Sequence, residues 1–170
     1  DVGKWQGVFD KLREKELIPI IRIATQPQGS NWKRPSPSEA QKWANFLNQL
    51  NWVIKHRYVI LFNEPNHATE WGGAVDPQSF ARVNEEFART LKASHPDFFI
   101  MMGGLDASAP AKPPQYQDAG VFMREVITDI GIEDVNTLFD GLSSHSYPNP
   151  GFVGSVNGQG KGTVRTYQWE

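Results

Sequence analysis

Cysteine is absent from the 170 residues. That excludes disulfides, thiolate metal sites and a cysteine nucleophile. Positive charge is not in excess: 17 lysines and arginines face 19 aspartates and glutamates, for a formal net charge of -2. A nucleic-acid partner would call for a basic surplus, so none is expected. No apolar run approaches the ~20 residues that cross a membrane, so no membrane partner is expected. No stretch reads as a signal peptide, and composition sets no compartment. His56, His67, His95 and His145 are scattered, with no metal-ligand spacing among them, so no metal is expected and no cofactor is implied. A short internal repeat, a low-complexity tail and a domain linker are also missing. One domain over residues 1–170 follows, long enough to bury a core.

What is present is alternation. The central stretch is Tyr58 to Phe62, five apolar residues that run straight into Asn63-Glu64-Pro65-Asn66. An apolar, aromatic and β-branched run of this kind reads as a strand buried on both faces. Pro65 cannot donate a ladder hydrogen bond and biases Glu64 away from helical angles, so the strand stops with a carboxylate at its C-terminal end. In a parallel α/β barrel that end carries the chemistry. A loop acid that solvates a strand end is the equally weighted structural alternative.

The flanking segments repeat the pattern. Trp5, Val8, Phe9 and Leu12 form a helical stripe in residues 4–15, and Leu17 to Ala24 follows as a strand. Arg22 interrupts that strand near its end, either as a structural ion-paired residue or as a charge aimed into a barrel mouth. Ser36-Pro37-Ser38-Glu39 carries a capping box with proline at the first helical position. The helix it starts buries Ala40, Trp43, Phe46, Leu47 and Leu50. Asp76-Pro77 starts another helix, with Phe80, Val83, Phe87 and Leu91 on one face. Phe98 to Met102 is a strand closed by Gly103-Gly104. Residues 119–130 are amphipathic and Gly131 is a plausible stop. Phe139 to Tyr147 is the last clear strand, and residues 162–169 could begin a helix. Strands alternating with helices argue for a parallel sheet with right-handed crossovers.

With Asn63-Glu64-Pro65 and His145-Ser146-Tyr147-Pro148 at the ends of two such strands, the chain resembles the retaining glycoside hydrolases of the large (β/α)8-barrel clan that includes cellulases, xylanases and β-mannanases. The resemblance covers essentially the whole chain and assigns its four strands to family strands three to six. It implies that Glu64 is the acid/base that protonates the glycosidic oxygen and that Asn63 binds a sugar hydroxyl beside the scissile bond. It implies too that His145 and Tyr147 line the site. Arg22, Trp32 and Trp71 are further candidates for sugar contact, the two tryptophans with core or loop packing as the heavier alternative. His67 reads as a loop histidine.

The pattern breaks at the second carboxylate. Retention requires two carboxyl groups roughly 5–5.5 Å apart, and the family places the nucleophile after a seventh strand that is not recognisable here. Asp106, just past the third of the four strands, and Glu170 are weak substitutes; the usual role of Asp106 would be to cap its own loop. A barrel of this kind takes ~250 residues, so a minimal or partial barrel with about four βα units is expected. It would close by pairing with a second copy or by recruiting strands from apparent loops, or its sheet would stay open and dock on another protein. Three functions remain in play. The favoured one is a hydrolase-like protein with little or no activity of its own. The others are an active retaining hydrolase of β-linked glycans and a non-catalytic scaffold that binds an oligosaccharide or a protein.

Overall fold

The apolar runs fold as short strands and the striped segments as helices. The computed structural model describes residues 1–170. Its strands are β1 (Ile20–Ile23), β2 (Pro27–Gln28), β3 (Asn31–Trp32), β4 (Arg57–Leu61), β5 (Phe98–Met102) and β6 (Gly141–Leu142). Its helices are α1 (Val2–Glu14), α2 (Ala40–Asn48), α3 (Pro77–Ser94), α4 (Ala119–Ile130), α5 (Ile132–Leu138) and α6 (Thr166–Trp169). Strands β1, β4, β5 and β6 form one sheet in that order, every neighbour parallel. Strands β2 and β3 pair as a small antiparallel ribbon above the end of β1.

One face of the sheet is buried. Val59 pairs with Ile21 and Ile100, and Leu61 with Ile23 and Met102, so this row runs across three strands toward the helices. The helices answer with Leu47 from α2, Phe80, Val83, Phe87 and Leu91 from α3, and Phe122 and Val126 from α4, all buried. Burying each such side chain stabilises by about 1.5–3 kcal/mol relative to exposure. Local chemistry sets where the helices begin. Ser36 and Glu39 close the expected capping box, with the Glu39 carboxylate 2.8 Å from the Ser36 N–H, ahead of a single 3-10 turn. Asp76 caps α3 by accepting from the Ser79 N–H at 2.9 Å. Gly131 ends α4 with a φ of 89°, a conformation that costs glycine little.

Several expectations change. The strands are not buried on both faces: Tyr58, Ile60, Phe99 and Met101, on the face away from the helices, are only half-buried. The four main-sheet strands leave that face open, and the barrel closure expected from the sequence is not seen. The edge strands are also shorter than their apolar runs. Leu17, Ile18 and Ile20 are exposed at the β1 side, and β6 keeps only two residues of the nine between Phe139 and Tyr147. Hydrogen bonding stabilises a strand only where a neighbour exists. In α1 only Phe9 is fully buried, edge-on to Trp52 at 5.2 Å, while Trp5 is 42% exposed. The helix expected over 162–169 is confined to α6.

Candidate active site

The polar cluster collects where the parallel strands end. Beyond β4 the chain leaves extended geometry: Phe62 has φ 68° and Glu64 φ 36°, left-handed values uncommon outside glycine. Strain of this kind persists only where the surroundings over-determine it, and here they do. The Glu64 N–H donates to the Gly104 carbonyl at 3.0 Å, and the His67 N–H donates to the Glu64 carbonyl at 2.9 Å. Asn66 is fully buried. Its amide donates to the carbonyls of Asp106 and Gln117 at 2.9 and 3.1 Å and accepts from the Asp106 N–H at 3.1 Å. The loop after β4 is thereby tied to the loop after β5.

On this frame Glu64 meets His145, with Oε1 2.7 Å from Nδ1. Both side chains are mostly buried, 20% and 15% exposed. A short contact in a partly desolvated site orients the carboxyl group and lets a proton pass between the two. The approach depends on Gly104: a methyl group built there would lie 2.5 Å from the His145 ring. The Tyr147 ring leans on His145 at 5.7 Å and on Phe152 at 5.4 Å.

A second chain of contacts starts at β1. Arg22 Nη1 donates to Asn63 Oδ1 at 2.5 Å, and Asn63 Nδ2 donates to Glu70 Oε2 at 3.2 Å. These residues line a 230 Å³ cavity together with Trp32, which is 38% exposed. Trp32 is held there through its carbonyl, which accepts from the Gly72 N–H at 3.0 Å.

One candidate is recessed and another lies elsewhere. Trp71 is completely buried, edge-on to Phe62 at 5.5 Å and to Phe80 at 5.1 Å, and sits in the wall of the same 230 Å³ cavity as Trp32. Glu170 lies exposed at the end of α6, whose Trp169 abuts Gly120 at the start of α4. It has no contact with Glu64 or His145. Asp106 does join the cluster, but both its oxygens are engaged. One stands 2.8 Å from His67 Nε2 and the other accepts from the Ser108 N–H at 2.8 Å, the loop-capping role. Glu70 and His67 also join the cluster, and the sequence marks neither as a site residue. Their placement depends on the turn at Pro65, which no periodicity reports.

The two partners of the His67–Asp106 pair shift in opposite directions. The hydrogen bond to Asp106 raises the His67 pKa above its ordinary 6.5, helped by the charges of Asp106, Glu64 and Glu70 against partial desolvation. The same bond lowers the Asp106 pKa below 3.8. The Asp106 contribution to stability is present above its unfolded value and lost as pH falls through the lowered one. The His67 contribution is full below 6.5 and lost as pH rises through the raised one. Asp106→Asn is expected to flatten the profile of urea midpoint against pH over this window. Identical profiles for the two proteins would show that the pair contributes nothing.

The fold and the cluster define a parallel α/β protein with its polar groups gathered at the C-terminal strand ends and a carboxylate at their centre. Among solved structures the chain is similar in fold to a monomeric beta-xylosidase from Caulobacter crescentus CB15, with a TM-score of 0.60 and 16% identity, over 87% of this chain and 31% of that one. The likeness is one of fold alone, and this chain spans about a third of that enzyme's length. No protein-family model and no curated protein matches the sequence.

Proposed function

We propose that this chain carries the acid/base side of a glycoside-hydrolase-like site, that it binds β-linked glycans, and that by itself it hydrolyses them slowly or not at all. The observation that carries this reading is Glu64 at the end of β4, held by His145 in a mostly buried contact. Protonating a glycosidic oxygen takes a carboxyl group fixed in orientation and partly shielded from water. The incomplete half of the reading has its own support. Retaining hydrolysis needs a second, free carboxylate about 5–5.5 Å away. The neighbouring acids are already engaged, Glu70 with Asn63 and Asp106 with His67.

The test is a screen of the 170-residue chain against aryl β-glycosides, β-glucan, xylan and mannan, with Glu64→Gln in parallel and tryptophan fluorescence as a binding signal. Saturable binding with negligible turnover is the expected outcome. Turnover abolished by Glu64→Gln would instead make the chain an active hydrolase, with Asp106 the next residue to replace. Absence of binding to every glycan would leave a protein-interaction scaffold.

A further inference from the structure

We infer that the cavity between the ends of β1 and β4 is a subsite for a sugar ring bearing a carboxylate, a uronic acid residue, with Arg22 as its specificity-determining group. This rests on the glycan-binding reading above and adds the chemical class of the sugar. The first observation is size. At 230 Å³ the cavity is smaller than the ~300–1,000 Å³ of sites for drug-sized ligands, room for one ring at most. The second is its wall: Trp32, 38% exposed and anchored by its backbone, supplies an aromatic face of the kind on which a sugar ring lies.

The third observation is the state of Arg22. Its side chain makes one hydrogen bond, from Nη1 to Asn63, and no ion pair. The acid nearest in this chain of contacts, Glu70, is held off by Asn63, whose amide spans the two, oxygen toward Arg22 and nitrogen toward Glu70. The guanidinium is exposed at the rim, where it lines both this cavity and a larger 610 Å³ one beside α2, and its Nε and Nη2 edge, a two-donor fork, has no partner in the protein. That edge matches a carboxylate bidentately, the geometry in which arginine gains most over lysine. A neutral sugar would use the aromatic wall and Asn63 but leave the fork unused.

The chain is titrated with methyl β-glucuronide, its methyl ester and methyl β-glucoside, following tryptophan fluorescence at low and moderate salt. The free acid should bind roughly tenfold or more tighter than either neutral ring, with an advantage that shrinks as salt rises. Arg22→Gln should erase the difference between acid and ester, Arg22→Lys should keep only a small part of it, and Trp32→Ala should weaken all three. Equal binding of acid and ester to the unaltered protein overturns the inference and leaves the glycan reading standing. So does a preference that survives Arg22→Gln. Binding of none of the three overturns the inference, and the polysaccharide screen above then decides whether the glycan reading stands. The comparison of acid with ester needs no variant, so misfolding of a substituted protein cannot obscure the answer.

Discussion

Trp71→Ala is expected to destabilise the protein by about 3–5 kcal/mol, the usual cost of removing a large aromatic side chain from a packed core. The indole is completely buried between Phe62 at the end of β4 and Phe80 in α3, and Phe87 and Phe122 extend the same aromatic cluster into α3 and α4. A void there loosens the strand end that carries Glu64 as well as the core beneath it. Trp71→Phe should cost far less, because the indole N–H has no hydrogen-bond partner to lose and only volume is removed. Trp32→Ala is the control: a surface-side tryptophan on a two-residue strand should change the urea midpoint little and glycan affinity clearly. Urea unfolding of the three variants decides. A Trp71→Ala protein within 1 kcal/mol of the parent would mean that the site collapses without leaving a cavity, against the usual behaviour of such cores.

Tryptophans 32 and 71 also show where sequence reading stops. Both follow an apolar strand in a polar loop, so their spacing in the chain is alike. What separates them is the route of each loop. Residues 27–32 fold back as a ribbon, leaving Trp32 at the rim, whereas the 3-10 turn at Ala68–Glu70 folds Trp71 under the sheet. The helices were legible because burial repeats every three or four residues, and in α3 Phe80, Val83, Phe87 and Leu91 are all buried. Strand order was legible because apolar runs alternated with those helices. Burial of the second sheet face was not: Tyr58 and Phe99 are as apolar as core residues, yet they pair at 5.1 Å on a face that these strands leave open. An apolar run reports what a strand is suited to touch, whatever lies opposite it.

The pairing of Glu64 with His145 was foreseeable as a neighbourhood and not as a contact. Both stand near strand ends, but β6 is separated from β4 by β5. Their meeting requires the backbone after β5 to run unusually close to both. Gly103 and Gly104 supply that passage. A doublet of glycines after an apolar strand could have been read as a sign of close backbone approach.

Gly103→Ala is therefore expected to cost about 1–3 kcal/mol, the penalty for overfilling a packed site, and to lie at the upper end of that range. A methyl group at 103 would sit 2.4 Å from the Leu61 carbonyl oxygen and 3.0 Å from that of Phe62. Both are backbone atoms of β4 and the turn after it, so no side chain can rotate away to make room. At position 104 the conflict is with the His145 ring at 2.5 Å and the Ser143 carbonyl at 2.8 Å. The ring can swing, and in doing so it leaves Glu64; the Ser143 carbonyl is backbone and must also shift, though by less than the Leu61 carbonyl that a methyl at 103 would meet at 2.4 Å. Gly104→Ala should then cost less stability than Gly103→Ala yet break the 2.7 Å contact. The imidazole resonances of His145 would report the break directly: in the unaltered protein they should respond to Glu64→Gln, and in Gly104→Ala they should not. If they still respond, the loop after β5 has moved in place of the ring. Urea midpoints for the two alanine variants would then show how much that movement costs relative to a clash at position 103.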